Sequence, residues 1–337
     1  MKTFNTIDEI FEAFNHLKVL IIGDVMIDSY IYGDIERISP EAQVPVVLVK
    51  HKEDRLGGAA NVARNIHSMG AKPILCSVIG TDSKGDVYIK LMNEQNLSVD
   101  GIIRSNDRIT TVKTRVIGNK HQIARIDEEQ EHEISNIERN QLITKIKSLI
   151  KAGDINVIIF EDYDKGIISE TLIIEIVEEA SKHNIPIAVD PKNKNFHSYK
   201  NVTLFKPNIK ELKEGLNMEI DKSRKEDLLE AGSFLHKSNQ IKLVMVTLSE
   251  AGVFMSNGDT HDIFPAHIRN IEDVSGAGDT VISVAALSLA LGLSSSMIGT
   301  LSNLAGGLVC EKVGVVPIDK IQLLNEARTI SLDNSEF

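Results

Sequence analysis

Residues 275–280 read Ser-Gly-Ala-Gly-Asp-Thr and run directly into the apolar stretch Val281–Leu291. At Gly276, Ala277 and Gly278 three consecutive backbone N–H groups can converge where larger side chains would obstruct an anion. The helix that follows adds the positive end of its dipole to the same spot. Such a nest holds a developing negative charge, and the carboxylate of Asp279 at its mouth is placed to take the proton of a hydroxyl. Together these are the parts needed to move a phosphoryl group onto an alcohol. The plainer alternative is a glycine turn before an ordinary helix, with Asp279 as a first-turn acid.

Other clusters carry complementary chemistry. Asp28 follows the first apolar run, and Gly57-Gly58 with Asn61 opens a helical pattern. A carboxylate, an amide and backbone N–H groups at a glycine pair suit sugar hydroxyls, which both donate and accept; chain reversal before a helix is the alternative. Asn208 and Glu211 stand three apart in Asn-Ile-Lys-Glu. They read either as a capping box or as residues beside a nucleotide's phosphates, with Glu211 ordering Mg²⁺ through water. Lys113, Arg115 and Arg125 alternate in a β-branched segment, with Lys165 and Lys192 on neighbouring loops. Several cations around one cleft suit a substrate that already carries a phosphate, or else are ordinary surface charges.

Positioning these groups requires a scaffold, and the apolar pattern supplies one. Short runs at Val19–Ile22, Pro73–Ile79, Val157–Phe160, Ile185–Val189, Thr203–Phe205 and Leu243–Thr247 read as buried strands. Helical spacing intervenes at Ala59–Met69, Leu172–Ala180 and Leu228–Leu235. Strand and helix alternating in this way predict an α/β fold with a mainly parallel sheet covered on both faces. In such a sheet ligands bind beyond the carboxyl ends of the strands. Gly23-Asp24, Glu161-Asp162, Asp190-Pro191-Lys192, Lys206-Pro207-Asn208 and Thr247-Leu248-Ser249 each follow a strand and so should share one rim. Val44–Lys50 and Thr110–Asp127 lack an intervening helix and predict a small separate sheet acting as a lid. One domain over 1–330 is expected, with lid strands near 30–50 and 108–127 and a tail at 331–337.

Bulk properties narrow the function. A formal charge of −11 without a long basic run argues against nucleic-acid or acidic-membrane partners. Cys76 and Cys310 lie far apart in apolar surroundings, as buried thiols rather than a disulfide or metal pair. No His-Glu-x-x-His occurs among the ten histidines, and no protein cage for a metal is expected. The apolar stretch at 280–293 is too short to cross a bilayer. An amphipathic helix near the N-terminus carries no leader pattern, so a cytoplasmic protein is expected. P-loop, dinucleotide-binding and nucleophile-elbow motifs are all missing.

The order Gly57-Gly58-Ala59-Ala60-Asn61, Asn208–Glu211, Ser275–Asp279 resembles the ribokinase-like carbohydrate kinases, the PfkB family. Gly23–Asp28, Arg37–Ala42 with Val44-Pro45-Val46, and Asp162-Tyr163-Asp164-Lys165-Gly166 resemble its heptose-phosphate kinases of ADP-heptose synthesis, as does Asp190-Pro191-Lys192 with Phe196 and Tyr199. The likeness spans about residues 15–320. It implies a three-layer fold and ATP-dependent phosphorylation of D-glycero-D-manno-heptose 7-phosphate at O1, toward lipopolysaccharide core. A kinase for another sugar phosphate, such as fructose 1-phosphate, and a non-catalytic sugar-phosphate-binding module are the alternatives. By motif position Asp279 would be the base and the Gly276–Gly278 amides the anion hole. Asp28, Gly57, Gly58 and Asn61 would hold the sugar, with Lys113, Arg115, Glu161 and Lys192 also on the substrate side. Asn208, Glu211, Thr247, Ser249, Gly252 and Asn303 would line the ATP side, with Mg²⁺ held mainly by the ATP phosphates and water, and a monovalent cation possible. A homodimer through the lid strands is implied. Ser275 stands where the family has Thr, and Gln43 where the motif has proline. Relatives with an adenylyltransferase domain carry a His-x-Gly-His motif that this sequence lacks, so adenylyl transfer is expected of another protein.

Overall fold

The computed structural model describes residues 4–267 and 269–333. An N-terminal helix α1 (Ile7–Phe14) leads into strands β1 (Lys18–Gly23), β2 (Val25–Ile38) and β3 (Pro45–Gly58), then helix α2 (Ala59–Ser68). Strand β4 (Lys72–Gly80), helix α3 (Ser83–Glu94) and strands β5 (Ile102–Ser105), β6 (Val112–Gly118) and β7 (His121–Glu128) follow. Next come α4 (Asn136–Lys151), β8 (Val157–Glu161), α5 (Glu170–Lys182), β9 (Ile187–Asp190), β10 (Leu204–Phe205), α6 (Ile209–Leu216) and α7 (Lys225–Ser238). The chain continues through β11 (Leu243–Thr247), β12 (Val253–Ser256), β13 (His261–Phe264), α8 (Ala277–Ala290), α9 (Ser295–Val309) and α10 (Lys320–Asp333).

Nine strands form one sheet in the order β13-β12-β11-β10-β9-β8-β1-β4-β5. It is parallel from β5 to β11 and turns antiparallel only at β12 and β13. Alternation along the central strands explains the three layers. Val19, Ile21, Val157 and Ile159 pack with α1, α2, α8 and α9 on one face. Leu20, Ile22, Ile158 and Phe160 pack with α4, α5, α6 and α7 on the other. Both side-chain sets are withdrawn from water, which is why these strands read as continuous apolar runs. Helix α8 is buried from Asp279 to Ser288, so its apolar length serves the core. Among the described residues no helix is long and apolar enough to cross a membrane.

A second sheet, β3-β2-β6-β7, stands apart from the first. Its strands extend beyond the predicted bounds. The short run at β1 ends after Gly23, and Val25 at once begins a 14-residue strand that the sequence reading stopped short of. Asp28 therefore lies inside a lid strand, and Gly57-Gly58 end β3 before Gly58 caps α2. Polar alternation with glycine hid the start of β2 and the end of β3 from an apolar-run search. At the C-terminus α10 reaches Asp333, into the segment expected as a tail, and 334–337 lie outside the described residues. Cys76 and Cys310 are free and buried, and burial pushes the Cys76 thiol up to about 12.

Candidate active site

Parallel register brings the strand ends to one rim. Gly23 pairs with Glu161, and Glu161 with Asp190. Lys206 follows β10 on the same edge. Gly276 adopts φ +80, a left-handed turn suited to glycine, and launches α8 toward this rim. Within the turn the Ala277 N–H is committed to the Val274 carbonyl at 3.3 Å. The Gly276 and Gly278 N–H groups have no backbone acceptor among the described residues. A side chain at Gly278 would come within 3.8 Å of both Asp190 Oδ2 and Lys206 Nζ, so this glycine backbone faces the acid–base pair.

Asp279 is 8% exposed, yet its surroundings are polar. Asn61 Nδ2 donates to Oδ2 at 2.7 Å and the Tyr163 hydroxyl donates to Oδ1 at 2.9 Å. Burial, assisted by the nearby Asp190 charge and opposed by Asn61 and Tyr163, raises its carboxyl to about 6. That value leaves it ionised at neutral pH while making it a better proton acceptor than an exposed aspartate.

Oxygens of Glu161, Asp190 and Asp279 lie within 4.8 Å of one another, all buried. Burial and the Asp190 and Asp279 charges push Glu161 well above the ordinary carboxylate range. Its Oε2 has no hydrogen-bond partner among the described residues. An orphaned acid oxygen beside two more carboxylates fits a hard, oxygen-liking divalent cation such as Mg²⁺. Sequence reading placed no protein ligand around a metal and looked instead to Glu211. The structure commits Glu211: its Oε2 accepts the Asn208 N–H at 2.8 Å, and its Oε1 meets Lys192. Asn208 Oδ1 in turn accepts the Glu211 N–H at 2.9 Å, so the capping box is formed. Lys206 Nζ holds Asp190 Oδ2 at 2.8 Å, and despite burial Asp190 keeps the ammonium protonated.

Two residues critical to this geometry escaped the site prediction. Tyr163 lies in the Asp162–Gly166 motif and Asp24 in the Gly23–Asp28 motif, and neither motif assigns them a role. Asp24 is buried and accepts the N–H groups of Tyr163 (2.8 Å), Lys165 (3.2 Å) and Ile167 (3.1 Å). It thus organises the loop that delivers the Tyr163 ring to Asp279. Asp162, raised to about 7 by burial and the Asp24 charge, ties the same loop to Asn195 (3.0 Å) and to the Tyr199 hydroxyl (2.8 Å). A buried acid following a strand whose next residues turn back was the available signal.

The remaining predicted residues fall into groups. Asp28 is 5% exposed, pairs with Arg115 at 2.6 Å, and lies against Gly57, where an added methyl would overlap its carboxylate. At Gly58 φ is +60, and a side chain would run into the Asp24 carbonyl. Thr247 bridges to Asn208. Ser249 has φ +56, and Gly252 with φ +94 abuts Phe264–Ala266. Asn303 Nδ2 reaches the Pro265 carbonyl at 2.8 Å on that same segment. The expected phosphate-binding cations are paired with carboxylates of the chain. Lys113 meets Glu129 (2.7 Å) and Asp127 (3.2 Å), Arg125 meets Asp127 (2.9 Å), and Lys165 meets Glu129 and Glu131, both at 2.8 Å. Lys192, paired with Glu211, lies 5.5 Å over the Tyr163 ring.

This arrangement agrees with what the chain is similar to. The family model described as pfkB family carbohydrate kinase matches residues 16–321. Bifunctional protein HldE of Methylobacillus flagellatus is 37% identical over 325 residues, 96% of this chain and 66% of that protein. HldE of Helicobacter pylori strain G27 is 37% identical over 91% of this chain and 66% of its own. The chain spans about two thirds of the length of these curated relatives. Among solved structures, the tetrameric inhibited form of phosphofructokinase-2 from Escherichia coli superposes with TM-score 0.76 at 18% identity, over 93% of this chain and 99% of that one. Arabidopsis thaliana ribokinase complexed with ribose and ATP gives 0.70 at 17% identity, over 91% and 98%. The fold is ribokinase-like, and the chain belongs to the pfkB family of carbohydrate kinases, a phosphotransferase that acts on a sugar hydroxyl.

Proposed function

We propose that this kinase transfers the γ-phosphoryl group of ATP to the anomeric O1 of D-glycero-D-manno-heptose 7-phosphate, giving the 1,7-bisphosphate that leads toward ADP-heptose and lipopolysaccharide core. The observation that carries the chemistry is Asp279, raised to about 6 and clamped between Asn61 and Tyr163 at the N-terminus of α8. The choice of acceptor is supported by the HldE relatives and by the Arg37–Val46 motif.

In this reading Asp28, Gly57, Gly58 and Asn61 seat the sugar. Asp279 takes the O1 proton as O1 bonds to the γ-phosphorus and the bond to the β–γ bridging oxygen breaks, releasing ADP. Gly276 and Gly278 direct N–H groups at the transferring oxygens, where preorganised donors stabilise charge without rearranging. Glu161 and Asp190, with Asp279 beside them, would hold Mg²⁺, which when bound offsets charge on the ATP phosphates. Lys206 opposes the rise that burial imposes on the Asp190 carboxyl. Asn208, Glu211, Thr247, Ser249, Gly252 and Asn303 border the nucleotide, and a monovalent cation beside the glycine turn belongs to the same proposal. We further place the kinase in the cytoplasm as a homodimer paired through its lids. Leu48, Val49 and Ile126, each about half exposed on the lid's edge strands, support that pairing.

ADP release measured over a panel of acceptors tests the reading: the heptose 7-phosphate, fructose 1-phosphate, fructose 6-phosphate and ribose. Turnover should be fastest with the heptose 7-phosphate, and Asp279→Asn should lower kcat by about 10²–10⁴ with ATP binding retained. A different best acceptor overturns the substrate, and normal turnover by the variant overturns the role of Asp279.

A further inference from the structure

The lid cations that suggested a phosphorylated substrate are each tied to carboxylates, which leaves the substrate's own phosphate without an obvious partner. One guanidinium beside the sugar residues is not neutralised in this way. Arg64 lies on α2 one turn beyond Asn61, and its Nη1 reaches only neutral oxygens: Asn61 Oδ1 at 3.4 Å and the Val315 carbonyl at 3.5 Å. Among the described residues no carboxylate lies within 4.0 Å of it. Its Nε and Nη2 have no protein acceptor there, yet neither is a buried orphan, so these donors open on solvent.

Arg64 has company. Arg55 sits across β2 and β3 from Asp28, chelates Glu53 with two nitrogens (2.6 and 2.9 Å), and directs its third at Gly314, where an added Cβ would lie 2.7 Å away. Arg64 meets the next residue, Val315, so the two guanidiniums converge on one loop. Arg115, paired with Asp28, and Arg55 both lie against the Tyr30 ring, at 5.3 and 4.9 Å from its centroid. The acids nearby are already used: Asp28 by Arg115, Glu53 by Arg55, and Asp273 by the N–H groups of Ser275 (2.9 Å) and Gly314 (2.9 Å). An unpaired guanidinium with free N–H donors, near the Arg55 charge and one helical turn from the sugar-binding amide, is a seat for a compact dianion.

The geometry points to Arg64, flanked by Arg55, as the group that receives the phosphate already present on the acceptor sugar and so selects phosphorylated over neutral sugars. This inference rests on the sugar-kinase reading and supplies a specificity residue for it. Arg64 also bridges α2 to the 314–315 loop, so the test needs a readout that a purely structural strut would not move. Calorimetric titration of wild type, Arg64→Gln and Arg64→Lys with D-glycero-D-manno-heptose 7-phosphate and with the unphosphorylated heptose provides one. Loss of a charge-assisted contact should weaken binding of the phosphorylated sugar by about 10–100-fold in Arg64→Gln, less in Arg64→Lys, and leave the neutral sugar unchanged. Wild-type preference for the phosphorylated sugar should therefore collapse. If the ratio of the two affinities survives in Arg64→Gln, or both sugars weaken equally, the assignment is overturned. ADP release measured alongside is a separate readout, so loss of the kinase reading would show without altering the binding comparison.

Discussion

Removing the Tyr163 hydroxyl tests how the site makes Asp279 a usable base. Tyr163→Phe keeps the ring under Lys192. It also keeps the loop, because Asp24 grips backbone N–H groups rather than the side chain. What goes is a 2.9 Å hydrogen bond to an ionised carboxylate. Bonds of that kind contribute about 1.5–3 kcal/mol, part of which a replacing water recovers. Since one pKa unit corresponds to about 1.4 kcal/mol, the Asp279 carboxyl should rise by about one unit. The sign follows from which form the hydroxyl favours: it donates to the ionised acid, so its loss favours the protonated one. Starting from about 6, the midpoint moves toward neutrality. At about pH 6 the ionised fraction falls from roughly one half to roughly one tenth, a loss of about fivefold, while above about pH 8 the two enzymes converge. The assay is kcat/KM against pH for ADP release at fixed ionic strength, since that ratio reports groups of the free enzyme. An acid limb that does not move, or a loss of equal size at every pH, would refute the reasoning.

Two further substitutions probe the sugar seat and the lid. Gly57→Ala drives a methyl into the Asp28 carboxylate, which Arg115 and burial hold in place; the acceptor KM should rise at least about tenfold, with about 1–3 kcal/mol lost in denaturant unfolding. Leu48→Asp places a charge on an exposed apolar edge strand; light scattering should show a monomer with an unchanged far-ultraviolet spectrum, and an unaltered dimer would remove that strand from the interface.

Local chemistry was legible in the sequence and meeting points were not. The glycine turn at 276–278, the capping box of Asn208 and Glu211, and the central strands were set by short-range sterics and apolar runs, and each formed about where its residues implied. The lid was half legible: its outer strands showed β-branched alternation, but β2 did not, because Asp28, Gly33, Asp34 and Glu36 interrupt any apolar signature. Long-range partners could not be read. Asn61 and Tyr163 reach Asp279 across 218 and 116 residues of chain, and only the parallel order of the sheet brings them there.

The same limit applies to charge. A sequence counts cations, whereas a binding site depends on cations left over after the protein has neutralised its own acids. Lys113, Lys165 and Lys192 meet Asp127, Glu129, Glu131 and Glu211 only through β-pairing or loop and helix packing, whereas Arg125 pairs with Asp127 two residues along its own strand. No motif singles out Arg64, and topology leaves it beside neutral oxygens. On the acidic side the logic runs in reverse. Glu161, Asp190 and Asp279 come from three separate strand and helix ends and repel one another in a buried space, offset by the ammonium of Lys206 and, for Glu161 and Asp190, by that of Lys192. Burying three acids with fewer cations to balance them costs stability unless a cation enters with the substrates. Folding therefore stores at this rim an electrostatic demand that a metal-bound nucleotide meets, and the strain that disfavours the free enzyme is the same interaction that favours loading it.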